Sequence, residues 1–246
     1  MKLFSRILLV ALVLALTLAI PGMAESAPLV VGTNAEFAPF EFIGDDGNPT
    51  GIDIDLINAI GEKIGVAIQI ENMSFDALIP ALTSGKIGAT ISGMTITEER
   101  KKSVLFSDPY YAASQKIIVK DGSAVASEAD LAGKTIGVQL GTTGDLYVTD
   151  TIKDATVQRY DKGIDAVQDL INGKLDAVVI DEEPANVFLS QTQGLVVLAD
   201  RLSDEQYGIA LPMGQDELLA KINGALADLK ADGTLDTIYA KYKTAE

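Results

Sequence analysis

Apolar runs typical of buried strands alternate along the chain with amphipathic helical patterns. Leu29–Thr33 is short, rich in β-branched residues and followed by polar residues, which predicts a buried strand. In residues 52–65 apolar side chains recur at helical spacing; Gly65 would end this helix, and Asp53 or Asp55 would cap it. A strand, a short helix and another strand are predicted next, at residues 67–71, 75–85 and 88–92. This βαβαβ order predicts a parallel sheet covered by helices.

A second unit repeats the same order further along the chain. Its predicted strands lie at residues 134–139, 155–160 and 175–181, and its predicted helices at 142–152 and 162–174. Two short apolar runs and two amphipathic helices then follow, at residues 194–199, 207–212, 216–233 and 234–243. Two α/β units of similar internal order predict two lobes, each a sheet flanked by helices.

Residues 1–24 differ in composition from the rest of the chain. Lys2 and Arg6 precede an uncharged apolar stretch that ends in small residues at Ala24, which is the arrangement of a secretory signal peptide. The apolar stretch is shorter than the about 20 residues of a membrane span, so we expect cleavage rather than a retained anchor. Cleavage after Ala24 is favoured over cleavage after Ala27, which would leave a proline at the new N-terminus.

Neither cysteine nor histidine occurs among the 246 residues. Disulfides, thiolate or imidazole metal sites, Ser-His-Asp triads and a lipid anchor on an N-terminal cysteine are therefore excluded. The formal net charge is −16, and it becomes −18 if Lys2 and Arg6 are removed, which disfavours nucleic acid and anionic membranes as partners. No dinucleotide or P-loop fingerprint occurs, so we expect neither a cofactor nor a bound metal.

Polar residues follow the predicted strands at the positions where open α/β sheets bind ligands, beyond their carboxyl ends. Arg100 could hold a carboxylate through two parallel hydrogen bonds, and Asp181 could hold an ammonium group. Their alternatives are a surface arginine beside two lysines and a cap for the helix that follows Asp181. The candidate residues at these strand ends are Asn34, Ser92, Gly93, Thr95, Arg100, Thr142, Thr143 and Asp181.

Aromatic residues near the strand ends could form the walls of a ligand site. Phe37 and Phe75 each lie beside a predicted strand end, where a ring could cover a ligand. Ordinary core packing is the alternative for each of them. Tyr110 and Tyr111 belong to the turn-like stretch FSDPYY, and we expect a structural role for both.

Six stretches resemble, in the same order, the polar-amino-acid-binding family of periplasmic solute-binding proteins, which deliver substrates to ATP-driven importers. They read GTNAEFAPFEF, GIDIDLINAI, FDALIPALTSGKIGATISGMTITEERKKSVLFSDPYY, IGVQLGTTGD, AVVIDEEPA and YGIALP…LKADGTLDTIYAKY. The resemblance implies a two-lobed type II periplasmic α/β fold with a mainly parallel sheet in each lobe. Lobe 1 would combine residues 25–112 and 208–246, lobe 2 would be residues 113–207, and strands near 113–116 and 204–207 would form the hinge.

The resemblance also implies roles for the candidate residues. Arg100 would bind an α-carboxylate and Asp181 an α-ammonium group, with Phe37 and Phe75 on either side of the ligand side chain. Backbone or hydroxyl groups of Ser92, Gly93, Thr95, Thr142 and Thr143 would complete the site. The implied protein is a periplasmic monomer without a lipid anchor, whose partners are a polar L-amino acid and the membrane permease subunits of an ABC importer.

Two positions depart from the family pattern. Asn34 and Gly88 stand where relatives often have acidic residues, and Asn34 cannot supply a full charge to a ligand side chain. Glu36 could supply that charge or could point to solvent. The sequence therefore predicts a polar ligand, glutamine-like or cationic, without naming it.

Two other functions remain open from the sequence. An enzyme on the same fold, resembling the periplasmic cyclohexadienyl dehydratases, would need a carboxyl of raised pKa in its cleft, such as Glu36 or Glu182. A receptor sensor domain is the other alternative, and the lack of a membrane span before Glu246 argues against it. The paired ionic partners for a zwitterion favour ligand binding without catalysis.

Overall fold

The structure is a computed structural model that describes residues 27–243, so the predicted signal peptide lies outside the described residues. Seven α-helices lie within this range: α1 (Ile52–Ile64), α2 (Leu78–Thr83), α3 (Thr143–Thr151), α4 (Gly163–Ile171), α5 (Glu182–Gln191), α6 (Asp216–Ala231) and α7 (Thr234–Tyr242). The strands are β1 (Leu29–Thr33), β2 (Glu36–Phe37), β3 (Glu41–Ile43), β4 (Pro49–Thr50), β5 (Ile68–Asn72), β6 (Ala89–Thr90), β7 (Val104–Phe106), β8 (Tyr111–Ala113), β9 (Gln115–Lys120), β10 (Thr135–Gln139), β11 (Thr156–Tyr160), β12 (Ala177–Asp181), β13 (Leu195–Val197), β14 (Glu205–Tyr207) and β15 (Ala210–Pro212).

Two five-stranded sheets carry the fold, and their strand orders follow the same plan. The first has the order β5-β1-β6-β15-β7, and the second has the order β11-β10-β12-β9-β13. In each sheet the first three strands pair in parallel, and the fourth strand is antiparallel to both of its neighbours. Four strands of each sheet therefore run in one direction. The predicted mainly parallel sheets are confirmed, with one reversed strand in each.

The reversed strands arise where the chain crosses from one sheet to the other. Strand β8 leads from the first sheet into β9 of the second, and β14 leads back towards β15 of the first. Between the sheets, β8 and β14 pair antiparallel, with Glu205 opposite Ala113 and Tyr207 opposite Tyr111. This two-stranded connection agrees with the two-strand hinge expected from the resemblance, except that its first strand lies at Tyr111–Ala113 and not at 113–116.

Apolar side chains fill both faces of each sheet. On the first sheet, buried residues of α1, α6 and α7 pack on one face, and Leu78 and Leu82 of α2 pack with Met94 and Val104. On the second sheet, Val148 of α3 packs with strand residues, and α4 and α5 pack against the same sheet. Helices therefore flank each sheet, so that the strand ends facing the other sheet are free to form a site.

Most predicted elements are present, with one wrong cap. Helix α1 begins after Gly51 and ends at Gly65, which adopts the left-handed conformation expected of a C-terminal glycine. Neither Asp53 nor Asp55 caps α1, because both lie inside the helix. Asp53 is buried and accepts hydrogen bonds from other segments, so its role is tertiary. The small sheet formed by β2, β3 and β4 is absent from the sequence prediction.

Within residues 27–243, no helix combines the length and the apolarity needed to cross a bilayer.

Candidate functional site

A small cavity lies between the two sheets, at the carboxyl ends of their parallel strands. Its lining contains all ten residues proposed from the sequence and two further polar residues, Glu41 and Gln139. The lining residues are Asn34, Phe37, Glu41, Phe75, Ser92, Gly93, Thr95, Arg100, Gln139, Thr142, Thr143 and Asp181.

Arg100 is buried at the cavity, unlike the two lysines that follow it. Its side chain donates from Nη1 to the carbonyl of Thr95 at 2.7 Å and from Nη2 to the carbonyl of Gly141 at 3.1 Å. Lys101 and Lys102 are exposed and pair with glutamates three residues earlier. The surface interpretation therefore applies to the lysines and not to Arg100.

The backbone and ring around Arg100 hold its guanidinium in place. The Thr97 hydroxyl accepts a hydrogen bond from the backbone amide of Arg100 at 3.1 Å, at the start of the short turn Arg100–Lys102. The guanidinium carbon lies 5.3 Å from the centre of the Phe75 ring, within cation–π range. Burial lowers the pKa of Arg100 to about 10, so the side chain remains charged at neutral pH.

Asp181 ends strand β12 and lies buried on the opposite side of the cavity. Its Oδ1 accepts a hydrogen bond from the Tyr207 hydroxyl at 2.6 Å. The residue occupies the N-cap position of α5, but its side chain makes no capping hydrogen bond. Burial raises the pKa of Asp181 to about 7, and the charge of Glu205 acts in the same direction. A cation placed beside Asp181 would favour its ionised form.

Glu205 joins hydroxyl groups of the two lobes behind the cavity. Its Oε2 accepts hydrogen bonds from Thr95 at 2.6 Å and from Thr143 at 2.8 Å. Its Oε1 accepts a hydrogen bond from Ser203 at 2.7 Å. Thr95 belongs to the first lobe, Thr143 opens α3 in the second, and Glu205 lies on hinge strand β14. The three residues are therefore connected only when the lobes meet.

The N-terminus of α3 faces the cavity. Thr142 is its N-cap; its hydroxyl accepts from the Asp145 amide at 3.2 Å and donates to the Gln139 carbonyl at 2.8 Å. The free amides and dipole of a helix start favour an anion. This end of the second lobe lies next to the Arg100 guanidinium, which donates to the Gly141 carbonyl. Both features suit a carboxylate at this end of the cavity.

Two phenylalanines and a glycine shape the cavity walls. Phe37 is buried and Phe75 is half-buried, and both line the cavity. Gly93 has φ +48°, and a Cβ there would lie 2.8 Å from the Phe37 ring. A residue with a side chain would be strained in this conformation and would displace the ring. Gly93 therefore allows the backbone to approach Phe37 closely.

Asn34 connects the two lobes across the cavity. Its Oδ1 accepts from Gln139 Nε2 at 2.9 Å, and its own Nδ2 donates to the Met73 carbonyl at 3.0 Å. A second connection between the lobes joins Lys162 to Glu36 at 2.5 Å at a partly exposed position. Asn34 thus lines the cavity and also holds the lobes together, which the sequence did not indicate.

A glutamate does line the cavity, but it is Glu41 and not the predicted candidate Glu36. Glu36 lies outside the cavity lining, whereas Glu41 lines the cavity and has no exposed surface. Ser92 accepts from the Asn34 amide at 2.9 Å and donates to Glu41 Oε1 at 2.8 Å, which fixes the orientation of Glu41. Burial, followed by the charge of Asp53, raises the pKa of Glu41 well above its ordinary value.

Other residues considered in the sequence lie away from the cavity. Glu182 accepts a hydrogen bond from Ser114 at 2.9 Å, and the tyrosines pack with the hinge. The Tyr110 hydroxyl donates to Asp53 at 2.8 Å and that of Tyr111 to Glu183 at 2.9 Å. Gly88 lies outside the lining, and a Cβ there would meet Leu29.

The comparisons with known proteins agree with this architecture. The sequence profile of the bacterial extracellular solute-binding proteins, family 3, matches residues 29–245. The chain belongs to this family. An L-arginine-binding protein of Pseudomonas aeruginosa is 37% identical over 236 residues, with 92% of this chain and 91% of the relative covered. The family resemblance drawn from the sequence motifs is therefore confirmed.

Solved structures of similar solute-binding proteins share the fold. An ancestral arginine-binding protein bound to arginine has a TM-score of 0.86 and 46% identity, covering 89% of this chain and 100% of its own. An ancestral arginine-binding protein bound to glutamine has a TM-score of 0.82 and 47% identity, covering 87% of this chain and 97% of its own. The predicted two-lobed type II periplasmic fold is confirmed for this member of the family.

Two lining residues were not predicted from the sequence, for different reasons. Gln139 is the last residue of a correctly predicted strand, so the rule about carboxyl ends of strands could have found it. Glu41 lies on the three-residue strand β3, and its burial depends on packing against segments far along the chain. No local pattern around Glu41 distinguishes it from Glu36.

Proposed function

We propose that this solute-binding protein captures L-arginine between its two lobes and delivers it to the permease of an ABC importer. The observation that carries the proposal is Glu41, a buried carboxyl in the cavity lining in addition to the zwitterion partners Arg100 and Asp181. Arginine presents one carboxylate and two cationic groups, so three ionisable protein groups match it. The arginine-binding relatives support the same choice.

The ligand would lie with its backbone end between Arg100 and Asp181. Arg100 would bind the α-carboxylate beside the start of α3, and Asp181 would bind the α-ammonium group. The aliphatic part of the side chain would run between Phe37 and Phe75, and the guanidinium would reach Glu41. Each group of the ligand then meets a protein group of opposite charge or matching polarity.

The lobe boundaries and the cellular setting belong to the same proposal. We assign residues 25–112 and 208–246 to lobe 1 and residues 113–207 to lobe 2, which agrees with the membership of the two sheets. The family is extracellular by description, and residues 1–24 have the composition of a signal peptide, which supports a periplasmic location. We propose that the protein acts as a monomer and meets the permease subunits of its importer.

We propose that the protein performs no catalytic step. The two carboxyls considered as general acids, Glu36 and Glu182, lie outside the cavity lining, while Glu41 lines it with a raised pKa. Incubation with arogenate or prephenate, followed by detection of phenylalanine or phenylpyruvate, tests this point directly. Product formation that depends on Glu41 would overturn it.

Isothermal titration calorimetry with three related ligands tests arginine capture. L-Arginine should bind more tightly than L-citrulline, which has the same length but a neutral side chain. Agmatine, which lacks the α-carboxylate, should bind at least roughly tenfold more weakly than arginine because Arg100 would lose its partner. Equal affinity for arginine and citrulline would contradict the assignment of Glu41, and no binding of arginine would contradict the proposed ligand.

A pair of matched variants separates Glu41 from general changes of charge. Glu41→Gln should remove the preference for arginine over citrulline. Glu71→Gln should leave that preference unchanged, because Glu71 lies on β5 outside the cavity lining and pairs with Lys86 at 2.5 Å.

A further inference from the structure

Asp53 lies outside the cavity lining but near Glu41, since its backbone amide donates to the carbonyl of Phe40, the residue before Glu41, at 2.8 Å. Neither carboxyl has any exposed surface. Asp53 Oδ2 accepts hydrogen bonds from the Gly93 amide and from the Tyr110 hydroxyl, both at 2.8 Å. Glu41 Oε1 accepts from Ser92 at 2.8 Å. Among the described residues, no N–H or O–H donor reaches the second oxygen of either group, Glu41 Oε2 or Asp53 Oδ1.

Ser92 and Gly93, which donate to Glu41 and to Asp53, are consecutive residues, so the two carboxyls lie next to each other. A protonated Glu41 could then donate a hydrogen bond to Asp53. A proton between them would satisfy both remaining oxygens, whereas two buried charges in contact would repel each other strongly. The donors on Asp53 favour its ionised form, so the proton belongs on Glu41. Burial raises the pKa of Asp53 to about 6, below the neutral range.

We propose that Glu41 and Asp53 form a proton-sharing carboxyl pair that lets one cavity accept two kinds of side chain. With the shared proton, Glu41 presents a neutral carboxyl, which pairs with the amide of glutamine. Without it, Glu41 presents a carboxylate, which pairs with the guanidinium of arginine. This proposal rests on arginine capture as the function and specifies how the side-chain end of the site is regulated.

The proton balance distinguishes the two ligands. A guanidinium against Glu41 stabilises a second negative charge on the pair, so arginine favours ionisation of Glu41, and the proton passes to solvent. Glutamine carries no side-chain charge, so the pair keeps its proton. Of the similar ancestral arginine-binding proteins of known structure, one is bound to arginine and one to glutamine, which is compatible with cavities of this kind accepting both side chains.

The other titratable groups near Glu41 should change their protonation equally when arginine or glutamine binds. The Tyr110 hydroxyl contacts the pair by donating to Asp53. Asp181 lies across the cavity from the pair and accepts a hydrogen bond from the Tyr207 hydroxyl. Both tyrosines have pKa values raised by burial and stay neutral. Asp181 would release its proton to solvent when any α-ammonium group binds beside it, because its own pKa is about 7. Only the difference between arginine and glutamine therefore reports on Glu41.

Calorimetry at pH 7 in buffers of different ionisation enthalpy measures this difference. Arginine should release up to one proton more than glutamine. The ratio of arginine to glutamine affinity should rise with pH between 6 and 8, by at most about tenfold per pH unit. Equal proton release with both ligands bound would overturn the shared pair while leaving arginine capture intact. Failure of glutamine to bind at millimolar concentration would also overturn it, and failure of arginine to bind would overturn the proposed function and this inference together.

The variant Asp53→Asn provides a second test, and Asp55→Asn on the same helix, α1, is its control. Asparagine keeps an oxygen that can accept from Gly93 and Tyr110, but it removes the charge that holds the proton on Glu41. The excess proton release with arginine should fall in Asp53→Asn and stay unchanged in Asp55→Asn, whose site lies outside the cavity lining and pairs with Lys241. An unchanged excess in a folded Asp53→Asn protein would overturn the role of Asp53. If that variant does not fold, the wild-type comparison still decides the proposal.

Discussion

The arrangement of its N–H donors is what suits Arg100 to bind a carboxylate. Two of its N–H groups are held by carbonyls of different lobes, and its planar fork faces a cavity that also meets the start of α3. A lysine at this position would keep the charge but lose the parallel geometry. Charge alone is therefore not the property that this position requires.

Arg100→Lys should weaken arginine binding by roughly ten- to a hundredfold, since a charge-assisted hydrogen bond contributes about 1.5–3 kcal/mol. Titration calorimetry of the folded variant measures the change. Lys101→Ala is the matched control and should bind as the wild type does, because Lys101 is exposed and pairs only with Glu98. Wild-type affinity in Arg100→Lys would show that a point charge suffices.

The sequence indicated individual site residues wherever strand order alone brings them together. Arg100 and Asp181 both follow strands of parallel units, and their meeting at one edge depends on the topology of the fold. Glu41 was missed because a three-residue turn and a three-residue strand place it next to Ser92, 51 positions away. Contacts of this range are set by tertiary packing and leave no periodic pattern.

Among the elements, the hinge strand β14 does more than connect the lobes. Glu205 on this strand accepts hydroxyl groups from Thr95 and Thr143, one from each lobe. Because both bonds need the lobes to be together, they stabilise the closed arrangement whatever the side chain of the ligand. The hinge therefore contributes to affinity without contributing to selectivity.

Glu205→Ala should weaken arginine and glutamine binding by a similar factor, on the order of tenfold, because each lost bond to a charged acceptor is worth about 1.5–3 kcal/mol and part is recovered from water. Calorimetry gives both affinities, and small-angle X-ray scattering should show a more expanded ligand-free protein. Glu217→Ala is the control, since Glu217 lies on α6 and pairs only with Lys221. A loss confined to one ligand would argue against a hinge role.

Element boundaries were predicted well where apolar periodicity was long and poorly where strands were short. Helices α1, α4 and α6 match their patterns because each has a continuous buried face and a clear end. Strand β6 contains only two residues although its pattern covers five, since the chain turns at Ser92 to form the cavity. The strands β2, β3 and β4 have two or three residues each, too few for any period to be visible.

At the level of the protein, the site places three carboxyls where burial disfavours their charge. The pKa of Glu41 is raised well above its ordinary value, that of Asp53 to about 6 and that of Asp181 to about 7, in each case chiefly by burial. Such groups hold protons more tightly when the protein is folded than when it is unfolded. Their contribution to stability is present at low pH and is lost as pH rises through the folded pKa.

The ligand-free protein should therefore become less stable between about pH 4 and pH 7, the window set by Asp53 and Asp181. Asp181 alone corresponds to at most roughly 4 kcal/mol. Carboxyls with lowered pKa values, such as Asp232 at about 2, act in the opposite direction but only below this window. We expect the Tm to fall on the order of 5 °C or more from pH 5 to pH 8, measured by calorimetry.

General repulsion within a chain of net charge −16 would also lower the Tm as pH rises. The variant Asp181→Asn separates the effect of the buried carboxyl from this repulsion. The variant should be more stable than the wild type at pH 8, because its amide cannot ionise, and its Tm should depend less on pH. It should also bind amino acids more weakly, since the α-ammonium group loses its counterion. A variant that binds poorly yet shows the wild-type dependence of Tm on pH would mean that repulsion between surface charges, and not the buried carboxyl, controls stability. Higher stability at pH 8 together with weaker binding would show that the charge kept for the ligand destabilises the empty site.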